Sequence, residues 1–244
     1  MRSEYSTAAK EVKICLQQVA DVNCAIQIAR FFKTGKGQYA ERDKFLGIAV
    51  PILRQFAKQF HTLPISGLKE LLSSPFNEER LLALIILVNR YKEGGLEAKE
   101  EIYQLYLHSL NAVNNWNLVD ASAPYILGAH LLDKDKDILW ILGQSSLLWE
   151  RRVAIVSTLH FIKHSSFEES LKLAQLLLED PHDLIHKAVG WVLREVGKKD
   201  LETLETFLDK HNATMPRTML RYAIEKMPTN QRLFYLGKKI APVF

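Results

Sequence analysis

The chain is poor in the residues that lock small or turn-rich folds together. Of 244 residues, two are cysteines, Cys15 and Cys24. There is no C-x-x-C pair and no histidine cluster at ligand spacing, which argues against a disulfide framework and against a zinc site. Gly 11 and Pro 8 are few for an all-β fold. No apolar run reaches the ~20 residues that a membrane helix needs. The opening MRSEYSTAAKEVKICLQQ is broken by Glu4, Lys10, Glu11 and Lys13, so it reads as neither a signal peptide nor an anchor. The expected compartment is the reducing cytoplasm. Also missing are a Walker loop, a G-x-S-x-G elbow, an H-E-x-x-H helix and a dinucleotide fingerprint. The reading therefore carries no cofactor and no metal; the GKG at 35–37 follows no strand and reads as a flexible or DNA-touching loop.

Charge is present in both signs with little surplus. Lys plus Arg 32 against Asp plus Glu 28 gives +4, a weak pointer to an anionic partner, so the distribution of charge must decide the matter. A hydrophobic fraction of 48% with 25% charged is that of an ordinary globular protein. The length allows one large domain or an array of repeats.

What is abundant is helical periodicity. Apolar residues recur at i, i+3, i+4 and i+7 in segment after segment, with no sustained alternation. The pattern predicts helices at 6–19, 21–33, 50–60, 64–73, 77–92, 96–110, 115–131, 135–143, 148–163, 167–179, 183–198, 200–210, 216–226 and 229–238. Breakers at Gly35, Gly37, Pro51, Pro64, Pro75, Gly94, Gly95, Pro181, Pro216 and Pro228 support the boundaries. A small residue suited to a close helix contact recurs at Ala83, Ala121, Ala154, Ala188 and Ala223. A period near 35 with two helices per period is that of a helical-repeat solenoid. Just before these alanines stand Asp120, Arg152, His186, Lys187 and Arg221. In a solenoid such positions can line one surface; each taken singly also fits a solvated helix edge.

Trp116 and Asp120 stand four apart in NNWNLVD, placing an indole and a carboxylate on one helical face. The pair can stabilise a developing cation or position a water. Equally, it can be a core-edge tryptophan beside a capping or salt-bridging aspartate. Trp191, in HKAVGWVLRE, has Lys187 and Arg194 within one turn. An indole flanked by cations suits nucleic-acid stacking, and it suits ordinary helix packing too. Trp149 with Glu150, Arg151 and Arg152 repeats the picture, whereas Trp140 reads as core.

Together NNWNLVD (114–120), LLWERRVAI (147–155), HKAVGWVLRE (186–195) and MPRTMLRYAIEKM (215–227) resemble the alkylation-repair DNA glycosylases of the AlkD type. FFKTGKGQYAERDKFLGIAVPILR (31–54) resembles that family's N-terminal loop and helix start. The likeness spans roughly 30–227 and implies an all-α fold. HEAT-like helical repeats would form a curved α-solenoid with a concave DNA-binding face, as a single domain over 1–244.

The resemblance also implies excision of N3-alkyladenine and N7-alkylguanine from duplex DNA without flipping the base into a pocket. Asp120 matches the catalytic aspartate, Trp116 and Trp191 the tryptophans against the lesion's deoxyribose, and Arg152 the arginine at the nearby phosphate. Lys187, Arg194, Arg221, His186 and Arg151 are the expected further DNA contacts. The expected partner is double-stranded DNA carrying alkylated bases, met by a monomer, with no membrane role, in the cytoplasm and on the nucleoid. The chain departs from the family pattern at Asn117, where Asp stands in a relative, and at Ala40-Glu41-Arg42, where many have a Gly-rich run. Two other readings stay open: a helical-repeat protein that binds DNA structures without catalysis, and a repeat scaffold for protein partners.

Overall fold

The computed structural model describes residues 2–237. Among them the chain is all-helical, and its only bridge of extended type joins Lys44 to Phe76. It is a helical-repeat fold, divided into two compact units, one ending at Ser122 and one beginning at Ala123.

The first unit holds α1 (Arg2–Gln18), α2 (Val22–Phe31), α3 (Val50–Gln59), α4 (Ile65–Leu72), α5 (Asn77–Glu93), α6 (Leu96–His108) and α7 (Trp116–Ser122). Local chemistry sets the boundaries. Asp21 caps α2 by accepting from the Cys24 amide at 3.0 Å, satisfying one of the donors a helix start leaves open. Pro51 sits in the first turn of α3, where its missing N–H is not needed. The middle of helix α5, LLALIILV at 81–88, is apolar all round, the pattern of a helix enclosed by others. Leu82, Ala83, Leu84, Ile86 and Leu87 are fully buried, with α3, α4, α6 and α7 packed about them.

The second unit contains α8 (Ala129–Leu131), α9 (Asp137–Gly143), α10 (Leu148–Ser157), α11 (Leu159–Lys163), α12 (Glu168–Leu176), α13 (Asp183–Lys199), α14 (Leu201–His211), α15 (Arg217–Ala223) and α16 (Thr229–Gly237). Its centre is α13, against which α10, α12, α14 and α15 pack. Gly190 is what lets α15 approach. A Cβ there would lie 2.5 Å from the Met219 carbonyl oxygen and 2.5 Å from Tyr222 Cβ.

Two stretches expected as single helices are interrupted. The segment 115–131 is α7, a π-helical turn at Pro124–Gly128, then α8. Pro124 has no N–H to continue the ladder, and the turn widens so that the Gly128 amide donates to Ala123 O at 2.9 Å. The segment 148–163 breaks at Thr158, whose Oγ1 donates to Ile155 O at 2.7 Å, next to Ser157, whose Oγ donates to Val153 O at 2.7 Å. Such back-bonding competes with the backbone ladder and bends helices.

The repeat alanines behave unevenly. Ala83, Ala154, Ala188 and Ala223 are 1% exposed or less, whereas Ala121 is half-buried and Ala123 is the fully buried residue of that segment. Trp140 is half-buried. No helix among the described residues is long and apolar enough to cross a membrane, and Cys15 and Cys24 are free thiols.

Gly190→Ala tests the close approach. Alanine gains about 1 kcal/mol of helix propensity over glycine, but forcing a methyl against backbone costs about 1–3 kcal/mol. Urea denaturation is expected to show a net loss of stability; a gain would mean that α15 yields freely.

Candidate functional site

Trp116 opens α7, and the start of that helix is built by buried polar groups from distant parts of the first unit. Asn115 accepts from the Trp116 amide at 2.8 Å and donates its side-chain amide to Asp43 at 2.7 Å. Asp43, whose side chain is 2% exposed, also accepts from Asn77 at 2.9 Å and from the Arg80 guanidinium at 2.5 Å. Asn117 donates to Asn77 Oδ1 at 2.7 Å and accepts from Asn77 Nδ2 at 3.3 Å. An amide can do both, which an ionised aspartate at 117 could not.

The loop that carries Asp43 is itself strapped to α5. Both Glu78 carboxylate oxygens accept from it, at 3.0 Å from the Leu46 amide and 2.9 Å from the Gly47 amide. Gly47 has φ +82, and a Cβ there would stand 2.0 Å from Asp21 O, so only glycine fits the turn.

This fixed start sets an aromatic group. The Trp116 ring stacks on Phe32 with centroids 4.8 Å apart and planes 7° apart. Phe32 leans in turn on Phe45 at 4.9 Å, and Phe31 stands edge-on to Trp116 at 6.0 Å and 78°. One turn further along α7, Asp120 is half-buried. Burial pushes the Tyr106 hydroxyl's pKa up; its hydrogen bond with Ser122 offsets part of this, and the nearby Asp120 charge adds to the rise. The Tyr106 and Ser122 hydroxyls pair with each other at 3.0 Å.

In the second unit Arg152 lies midway along α10, is 5% exposed, and donates to Leu184 O at 2.7 Å. Trp191 is half-buried on α13. Arg151 is committed internally: its guanidinium holds Asp180 at 2.6 Å and reaches Ser145 O and Ser146 O at 3.0 Å each. His186 Nε2 donates to Asp180 O at 2.5 Å. Lys187 pairs with Asp183 at 2.7 Å and Arg194 with Glu225, while Arg221 is exposed.

These contacts repeat. The Ser74 side chain accepts from the amide two residues on, at 3.0 Å, and the Ser74 carbonyl from Arg80 six residues on, at 2.7 Å. Ser145 does the same with Leu147 N at 3.0 Å and Arg151 at 3.0 Å. Asp180 does so with His182 N at 2.8 Å and His186 at 2.5 Å. Each clasp folds the loop before α5, α10 or α13 onto that helix's first turn. The sequence reading passed over Asp43, Asn77, Glu78, Arg80 and Asp180. The available signal was the parallel of SPFNEER and SSLLWER.

A family model described as "DNA alkylation repair enzyme" matches residues 12–227. Among solved structures the chain is similar to one described as a predicted DNA alkylation repair enzyme from Enterococcus faecalis. The TM-score is 0.67 at 18% identity, covering 86% of this chain and 97% of that one. A search of the curated proteins returns no match.

The clasps generate two predictions. Removing the charge partner of a buried arginine costs about 3–5 kcal/mol, so Asp43→Ala is expected to lose that much in chemical denaturation; a loss within the error of a surface substitution would remove the pair from its place in the fold. His182 caps α13 by accepting from Leu184 N at 3.1 Å, and its pKa is lowered, chiefly by burial. The folded state therefore binds fewer protons than the unfolded chain, so this stability is complete above about pH 6.5 and falls on acidification below it. The drop in Tm between pH 7.5 and 5.5 is expected to be smaller in His182→Asn, which keeps an acceptor without a titration. An equal drop in both proteins would show that the cap is not the titrating element.

Proposed function

Because this chain belongs to the DNA alkylation repair enzyme family, we propose that it is a DNA glycosylase. Its substrates are positively charged alkylpurines, N3-alkyladenine and N7-alkylguanine, in duplex DNA. The observation that carries the reading is the Trp116–Asp120 pair, an indole seated on Phe32 and a half-buried carboxylate one turn later on the same helix.

Alkylation has already made the base a good leaving group. The C1′–N9 bond breaks with both electrons passing to the purine, whose positive charge is thereby neutralised. The sugar is left with oxocarbenium character, water adds its oxygen to C1′, and the water's proton is released. A fixed carboxylate beside C1′ stabilises the charge that develops on the sugar more than it stabilises the ground state. Asp120 has that part, Trp116 and Trp191 pack against the deoxyribose, and Arg152, which is 5% exposed and donates to the Leu184 carbonyl, would turn from that bond to take the adjoining phosphate. No passage of the base into a pocket is required. A cavity of about 940 Å³ in the first unit is lined by Arg42, Lys69, Arg80 and His108 and not by Asp120 or Trp116.

Among the five further basic residues, Arg221 is exposed and Lys187 sits in a solvent-facing i,i+4 pair of the kind worth little to stability. These two are the best placed to exchange their surroundings for a phosphate. Arg194 is paired with Glu225, and the internal bonds of Arg151 and His186 favour a structural part for both. The substrate is DNA, and binding is expected to weaken steeply with salt.

The test is release of methylated base from alkylated duplex above the spontaneous rate. Asp120→Asn is expected to lower it about 10²–10³-fold, the scale of one lost electrostatic stabiliser. Release by that variant at the native rate would remove Asp120 from the chemistry. Salt-dependent DNA binding with no release by the native protein would make the chain a non-catalytic binder of DNA structures.

A further inference from the structure

The 30–41 segment carries features that excision by Asp120 does not use. Phe31, the last residue of α2, is 68% exposed, although a large apolar ring at the surface costs free energy unless something covers it. It stands at right angles to a stacked pair, 80° from Phe32 and 78° from Trp116, so its position is fixed by two neighbours. Arg30, Lys33 and Lys36, all within five residues of it in the chain, are exposed.

The segment is built rather than slack. Lys33 adopts φ 55, Gln38 accepts from the Gly35 amide at 2.9 Å and Glu41 from the Gly37 amide at 2.9 Å, and Thr34 Oγ1 donates to Ala29 O at 3.3 Å. Left-handed backbone at a lysine costs energy, and it is held here by these side-chain bonds.

We propose that this segment is a second DNA contact that binds an unpaired nucleotide, the Phe31 ring stacking on its base and Arg30, Lys33 and Lys36 meeting the flanking phosphates. An exposed aromatic ring with three exposed cations within five residues of it in the chain matches a polyanion that also carries flat apolar faces, which is single-stranded nucleic acid. Within a repair duplex, a base that has lost its partner presents such a face, and intact paired DNA does not. Continuity with Trp116 sets the contact beside the proposed site of excision, where an abasic product leaves one base unpaired. This inference rests on the reading of the chain as a DNA-acting protein and not on its chemistry.

The experiment compares native protein, Phe31→Ala, Phe31→Leu and Phe31→Trp. Binding is measured by fluorescence anisotropy to an intact duplex, the same duplex with a tetrahydrofuran abasic analogue, and an oligothymidylate strand. Melting curves check that each variant is folded, light scattering reads the oligomeric state, and base release from methylated duplex is measured separately. The native protein is expected to bind the abasic duplex about tenfold more tightly than the intact one. Phe31→Ala and Phe31→Leu are expected to lose that preference, and Phe31→Trp to keep it.

An unchanged preference in Phe31→Ala overturns the proposal. So does an equal weakening on intact and abasic duplexes, which would make Phe31 a general contact. A variant that changes only the oligomeric state would show that the ring faces a second copy of this chain, and also overturns it. Absence of base release by the native protein strikes the glycosylase reading alone, because the stacking preference is read in binding without excision.

Discussion

The structure depends on how the first turns of α5, α10 and α13 are fastened. A helix start leaves amide groups without partners, and in a helical repeat each start is flanked by the loop arriving from the preceding helix. Here the loop residue's side chain takes an amide two residues on, and a basic side chain six residues on takes the loop carbonyl, at Ser74–Arg80, Ser145–Arg151 and Asp180–His186. The first two arginines are tied in addition to aspartates from elsewhere, Asp43 and Asp180. A buried charge pair contributes little net stability against an apolar substitute, because desolvation consumes most of the Coulomb gain. What it does here is fix register: removing either member leaves a charge without its partner, so other arrangements of loop and helix are disfavoured.

The consequence reaches Trp116. Its amide is held by Asn115, Asn115 by Asp43, and Asp43 by Arg80 and Asn77 on α5. Glu78 holds the same loop by its backbone. The indole then has a fixed origin, and the Phe32 and Phe45 rings fix its plane. Side chains with locked rotamers on rigid elements are what a site needs when small displacements cost activity.

Periodicity made the helices and the repeat legible, since both depend on apolar spacing that one strand of text carries. Proline and serine chemistry broke two of the expected helices: Pro124 and Thr158 were visible as residues, but the decision between a kink and a stop rests on neighbouring packing, as at Gly128 against Ser157. The polar network was hidden for a different reason. Asp43 and Arg80, or Arg151 and Asp180, are separated by dozens of residues, and no spacing rule links them. The register of basic residues at intervals near 35 was visible, and its cause is in part internal. Arg151 and His186 hold loop carbonyls, so a recurrent basic residue in a repeat marks a recurrent clasp as readily as a recurrent ligand contact. Arg221, 35 residues beyond His186, is exposed.

Asp43 and Asp120 show how environment divides two identical side chains of one unit. Asp43 is enclosed by two amides and a guanidinium that satisfy its oxygens, and its charge is spent on Arg80. Nothing remains of it to act on a substrate. Asp120 lies half-buried beside Tyr106 and Ser122, whose hydroxyls pair with each other. Burial keeps the neighbouring tyrosine in its neutral form, and the Asp120 charge favours the same form. The half-buried carboxylate is therefore the one of the two that the proposed reaction can use, since a breaking glycosidic bond makes a cation.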